Sequence, residues 1–190
     1  MPLPHNHRGR LYERAGLRIR DFAGVSVGER LNPFSLAKYV KILVIKPSQV
    51  RELSPLAHQE LKGHSKTCWS AVTVELPGGW QLCILNTRHN LERQRASLME
   101  EISHVMLGHE PTRLVLGANG IAYREYNEVN EHVAYGVGAA ALVPYATLLA
   151  WVERGRSPEF IARHYGVSTQ LVLYRIKITM LWALYKSKAS

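Results

Sequence analysis

The chain has 190 residues, 46% of them hydrophobic and 21% charged, which suits one core with a small appendage and excludes a disordered chain. Lys and Arg number 24 against 15 Asp and Glu, a formal charge of +9, which permits an acidic partner such as nucleic acid without requiring one. The 2 cysteines, Cys68 and Cys83, exclude a disulfide framework and lack metal-type spacing. They read as reduced thiols of a cytoplasmic protein.

The opening Met1-Pro-Leu-Pro-His-Asn-His-Arg8 has no apolar run of signal-peptide length. Residues 1–31 read as a basic arm with a short irregular helix. Asn32-Pro33 then supplies an N-cap followed by proline at the first helical position. Ile42-Leu-Val-Ile45 is a β-branched run that predicts a strand. Ser48 to Lys62 carries apolar residues at near-helical spacing.

Trp69 to Leu76, the Pro77-Gly78-Gly79 turn and Trp80 to Leu85 predict a β-hairpin. In it Leu76 opposes Trp80 and Cys83 opposes Thr73. Arg93 to Leu107 repeats Leu98, Ile102, Val105 and Met106 at helical period, and Gly108 stops it. Arg113 to Gly117 and Gly120 to Tyr123 are candidate short strands. Glu128 to Leu142 predicts a helix rich in Ala and Gly that ends at Pro144, and Tyr145 to Val152 continues as another.

His132 to Val152 holds no Lys, Arg, Asp or Glu and approaches the roughly 20 residues of a membrane span. Its Ala, Gly and central Pro144 supply little transfer energy, so two buried helices are expected and no membrane. Ser157-Pro158 opens the next helix, Gly166-Val167-Ser168 turns the chain, and Thr169 to about Tyr185 forms the last helix.

Charge is uneven. Residues 92–131 hold 4 basic and 7 acidic side chains, an acidic island in a basic protein. Within it stands Glu100-Glu101-Ile-Ser-His104. Residues four apart on a helix lie one above the other, so Glu100 and His104 share a face with Glu101 at its flank. That is the geometry of the His-Glu-x-x-His helix, whose end residues grip a metal and whose second residue is the general base. Glu131, on the next helix, is the candidate third ligand. A solvated face would account for Glu100 and Glu101 but not for Glu131. His109, five residues beyond His104, points to a different face of a continuing helix and reads as a packing or capping residue.

The segment resembles the ImmA/IrrE family of metallopeptidases. The family's active helix commonly reads Arg-x-Arg-Phe-Thr-Leu-Ala-His-Glu-Leu-Gly-His, and this chain has Arg93, Arg95, Ser97, Leu98, Glu101 and His104 in those places. Asn86 fits the lead-in. The downstream Glu-x-x-Ala-Asn-x-Phe-Ala-x-x-Leu-Leu-Met-Pro is met by Glu131, Ala134, Leu142 and Pro144. The resemblance covers roughly residues 32–185. It implies Glu101 as catalytic base and Glu100, His104 and Glu131 as ligands of one divalent metal, zinc in the family. Glu100 departs from the family's histidine, and two carboxylates shift the preference towards manganese or iron. The resemblance also implies a protein substrate, a transcriptional repressor.

Glu159 to Val172 has a helix-turn-helix rhythm. In a DNA reader Thr169 and Gln170 would meet the groove, with Arg175 and Lys177 supplying charge. The second helix is too apolar for one buried stripe, which favours docking onto the body.

The expected fold is thus α+β: a small β-sheet with a hairpin packed on a metallopeptidase-like helical core, then helix-turn-helix-like helices. The divisions are 1–31, a basic arm; 32–152, the metallopeptidase-like domain; and 153–190, the helical tail. The expected function is cleavage of a repressor-type regulator by metal-activated water. The alternative is an inactive regulatory module that binds protein or DNA through the basic tail.

Overall fold

In the computed structural model, residues 1–50, 69–110, 114–116, 122–124 and 127–189 are described. Three strands form one sheet in the order β1-β3-β2, with β1 at Ile42–Ile45, β2 at Ala71–Leu76 and β3 at Trp80–Leu85. β3 runs antiparallel to β2 and parallel to β1. The hairpin has the expected register, Thr73 opposite Cys83 and Leu76 opposite Trp80. Gly78 and Gly79 both take positive φ, +78° and +74°, which only a residue without Cβ adopts freely, so the turn closes here. Cys83 and Leu85 of β3 point into the core.

Helices make up most of the rest. They are α1 (His7–Phe22), α2 (Pro33–Ala37), α3 (Leu91–Leu107), α4 (Glu128–Leu142), α5 (Tyr145–Glu153), α6 (Pro158–Tyr165), α7 (Thr169–Ile178) and α8 (Trp182–Ala189). A small antiparallel pair, β4 (Leu114–Leu116) with β5 (Ala122–Arg124), lies between α3 and α4 in sequence. Asn32, Asn90, Asn127, Ser157 and Ser168 cap α2, α3, α4, α6 and α7, each accepting a backbone N–H in the first turn.

α4 is central because its side chains are small on two sides. A Cβ on Gly136 would stand 2.3 Å from the Tyr12 ring of α1, and one on Gly138 would stand 3.2 Å from the Met99 carbonyl of α3. From the α1 side, a Cβ on Gly16 would meet the backbone nitrogen of Ala141 at 2.7 Å. Helices can approach this closely only where side chains are absent. The Ala and Gly content of α4 therefore serves two neighbours, α1 and α3, at once.

Three expectations need correction. Residues 1–31 are not an arm: α1 is docked in the core, with Tyr12, Glu13, Ile19 and Arg20 buried. Arg20 Nη1 donates to the Ala141 carbonyl at 2.6 Å. Residues 153–190 are not a separate tail either. Tyr165 Oη donates to the Val27 carbonyl at 2.7 Å, and Arg175 is bonded to Glu13. The last helix is broken, not continuous to Tyr185. Met180 takes a left-handed φ of 64°, and Leu181 N–H returns to the Ile176 carbonyl at 2.9 Å. The buried Leu181 anchors this break.

The helix expected over Ser48 to Lys62 lies mostly outside the described residues. Among them, no single helix is long and apolar enough to cross a membrane. Only α4 and α5 taken together pass that test, and they bend by 62°.

Candidate active site

α3 carries the acidic constellation. Asn90 Oδ1 accepts the Arg93 N–H at 2.9 Å and fixes its start. Leu98, Met99 and Ile102 are wholly buried and hold one face in the core. Glu100, Glu101 and His104 lie on the half-buried side.

Glu101 is positioned by the sheet. Thr73 of β2 donates its hydroxyl to Glu101 Oε2 at 2.7 Å. Its cross-strand neighbour Cys83 is wholly buried. Burial, and next the Glu101 charge, push that thiol up to about 12, so it stays protonated and does not compete as a nucleophile.

His104 faces α4. Its Nε2 lies 3.7 Å from Glu131 Oε2, with each side chain 19% exposed. The two helices run in opposite directions, since Gly138 sits against Met99 and Glu131, two turns earlier, reaches His104. The glycine contact therefore sets the reach of the carboxylate.

The other edge of His104 meets a residue that sequence reasoning set aside. His109 Nδ1 lies 3.1 Å from His104 Nδ1, and the rings stand edge-on with centroids 5.0 Å apart. The expectation that His109 points elsewhere assumed a continuing helix. Instead Gly108, at a φ of 68°, reverses the chain, and His109 N–H bonds to the His104 carbonyl at 3.0 Å. The signal was present in the sequence, as a stop glycine immediately before a histidine. Burial lowers the His109 pKa, while the charge of Glu131 acts in the opposite sense.

Glu100 looks away towards Tyr135 of α4, whose phenol is raised by burial and then by the Glu100 charge. It lines a cleft of about 570 Å³ with Ser70, Arg93, Tyr135, Ser168 and Gln170. His104 and Glu131 do not border that cleft. An imidazole opposed by a carboxylate suits a divalent cation. As the side chains stand, however, no three His, Cys, Asp or Glu among the described residues gather into a group that could hold one. Glu100, His104 and Glu131 do not converge, so the expected donor set does not fit a three-ligand site.

The four tail residues separate. Arg175 is fully buried, with Nε donating to the Val143 carbonyl at 3.0 Å, so it cannot contact a phosphate. This corrects its expected role. Gln170 borders the Glu100 cleft and Thr169 is half-buried. Lys177 is exposed, its Nζ 5.3 Å from the centroid of the Trp182 ring.

The chain belongs to the peptidase M78 family, described as the IrrE N-terminal-like domain, whose model matches residues 38–177. A more distant likeness is to a Mycobacterium tuberculosis transcriptional regulator of known structure. That protein is 12% identical with a TM-score of 0.52, and the match covers 88% of this chain and 46% of the regulator. That likeness is one of fold alone, and this chain spans about half the regulator's length. No curated protein matches the chain.

Proposed function

We propose that this chain is a metallopeptidase-like protein of the IrrE type that acts on a regulator-type protein, a transcriptional repressor. The observation that carries this reading is the placement of Glu101. Its carboxylate is held by Thr73 one turn before His104, which in turn faces Glu131. A hydrogen bond to the charged form favours a carboxylate over its acid, so Glu101 is kept able to accept a proton from water. β2, which supplies Thr73, is an edge strand of the described sheet. An extended segment of a protein substrate pairs readily with such an edge. A divalent metal, when bound, would supply Lewis acidity to the attacked carbonyl and to water. The family's metal is zinc.

The test is hydrolysis of an unfolded protein, casein, by the full chain with zinc or manganese supplied. Cleavage that a chelator abolishes and that Glu101→Gln lowers by about 100-fold or more, the scale of general-base catalysis, supports the reading. Equal activity of wild type and Glu101→Gln overturns it.

One observation favours a second reading, a regulatory module without peptidase activity. Glu100 stands where the family has a ligand histidine, and it faces Tyr135. In that reading the cleft shared by Glu100 and the start of α7 receives a protein partner, and no bond is cut. Partner binding unaffected by Glu101→Gln would favour it.

A further inference from the structure

Helix ends decide which side chains meet. In an unbroken helix, residues five apart are turned about 140° from each other. At Gly108 the chain instead folds back, and His109 is set beside His104. Two imidazoles and the Glu131 carboxylate thus occupy one corner between α3 and α4.

The spacing has meaning. Two donors on one zinc, at roughly 2.0–2.1 Å and tetrahedral angles, stand about 3.3 Å apart. The His104–His109 nitrogen pair is at 3.1 Å and the His104–Glu131 pair at 3.7 Å. Both lie within a few tenths of an ångström of that separation. What prevents a three-donor group is that His104 uses different nitrogens, Nδ1 towards His109 and Nε2 towards Glu131. A half-turn of the His104 ring moves Nε2 to the place of Cε1, between the two neighbours.

We propose that His104, His109 and Glu131 form a divalent-cation site of this chain, in which His109 supplies the imidazole that position 100 lacks. Two neutral imidazoles and one carboxylate restore a nitrogen-rich set suited to zinc, which Glu100 with Glu131 would not provide. Glu100 then has no part in holding the ion and belongs to the cleft beside Tyr135. The inference rests on the family reading above, since the ion would sit next to Glu101, but it concerns binding and not turnover.

The test uses the full chain, stripped with chelator and titrated with zinc alone. Wild type is expected to bind one ion per chain. His109→Ala and His109→Gln are expected to weaken binding by more than about 100-fold, beyond the roughly 10–100-fold that losing an orienting partner costs. Gln is the informative change, because its amide oxygen still accepts the His104 N–H but ligates poorly. Glu100→Gln is expected to change affinity by less than about 10-fold. If His109 variants fail to fold by circular dichroism, ring-nitrogen NMR of wild type decides. Zinc is expected to shift nitrogens of both His104 and His109.

No zinc binding, wild-type affinity in His109→Gln, a loss in Glu100→Gln equal to that in His109→Ala, or an unshifted His109 overturns the site. Zinc bound through His109 without casein cleavage supports the site while the peptidase reading fails. Casein cleavage with zinc affinity intact in His109→Gln overturns the site while that reading stands.

Discussion

Glu13 of α1 and Arg175 of α7, 162 residues apart, form a buried ion pair. Glu13 also accepts the Tyr145 N–H at 2.8 Å, and Arg175 donates to the Val143 carbonyl at 3.0 Å. The break between α4 and α5 is thereby gripped from both ends of the chain. Burial pushes the Glu13 carboxyl above its ordinary range, and the guanidinium and the Tyr145 N–H pull it back. Arg175 is consequently a structural residue, and the basic charge of its helix is not all available to a partner.

Removing one member of this pair leaves the other buried without its countercharge. Glu13→Ala and Arg175→Ala are each expected to cost about 3–5 kcal/mol in urea unfolding. Replacing both with apolar residues of similar volume should recover most of that loss. A single variant within about 0.5 kcal/mol of wild type, the range of an ordinary surface change, would show that the pair does not hold α1 in place.

Gly16→Ala tests the docking of α1 on α4. The added Cβ would meet Ala141 N at 2.7 Å and Ala140 C at 2.9 Å, both backbone atoms that no rotamer change can move. Overpacking of this kind costs about 1–3 kcal/mol. The melting midpoint should fall by about 2–4 °C for each kcal/mol lost in a chain of this size. Gly28→Ala is the control, because a Cβ there meets nothing within 4 Å. Equal midpoints for the two variants would contradict the close approach.

Local signals in the sequence carried most of the secondary structure. Period and turn chemistry placed α3, α4, α6 and the hairpin, because each has its own cap, stop or Pro-Gly-Gly turn. Glu101 and its neighbours were legible for the same reason, since one helix carries them. Long-range pairing was not legible. The basic content of residues 1–31 suggested an arm because Glu13 and Arg20 look like surface charges until their partners, Arg175 and the Ala141 carbonyl, are known. Arg175 was misread the same way. His109 was missed because helical angles were carried past the glycine that ends the helix.

Thr73→Val separates orientation from packing at Glu101. Valine keeps the shape of threonine and removes the donor bonded to Glu101 Oε2 at 2.7 Å. Casein hydrolysis should slow by about 10-fold, a part of what a general base contributes, with kcat falling more than KM rises. Thr73→Ser, which keeps the hydroxyl, should restore most of the rate. Unchanged kcat in Thr73→Val would remove Thr73 from the site.

Cys83 makes stability depend on alkaline pH, and the direction follows from its surroundings. Burial first, and the Glu101 charge second, raise its pKa from an ordinary 9.0 to about 12. Above pH 9 the unfolded chain gives up a thiol proton that the folded chain keeps. The stabilisation is therefore complete below that pH and drains away as pH rises towards the folded value. The loss is about 1.4 kcal/mol per pH unit. Other groups titrate in the same range, so the useful quantity is the difference between wild type and Cys83→Ala. Urea unfolding at pH 8, 9 and 10 should show the advantage of wild type constant at first and then shrinking by about 1.4 kcal/mol over the last unit. A difference that stays constant through pH 10 would mean that the thiol ionises alike in both states, and that β3 does not shield it as its position behind Thr73 requires.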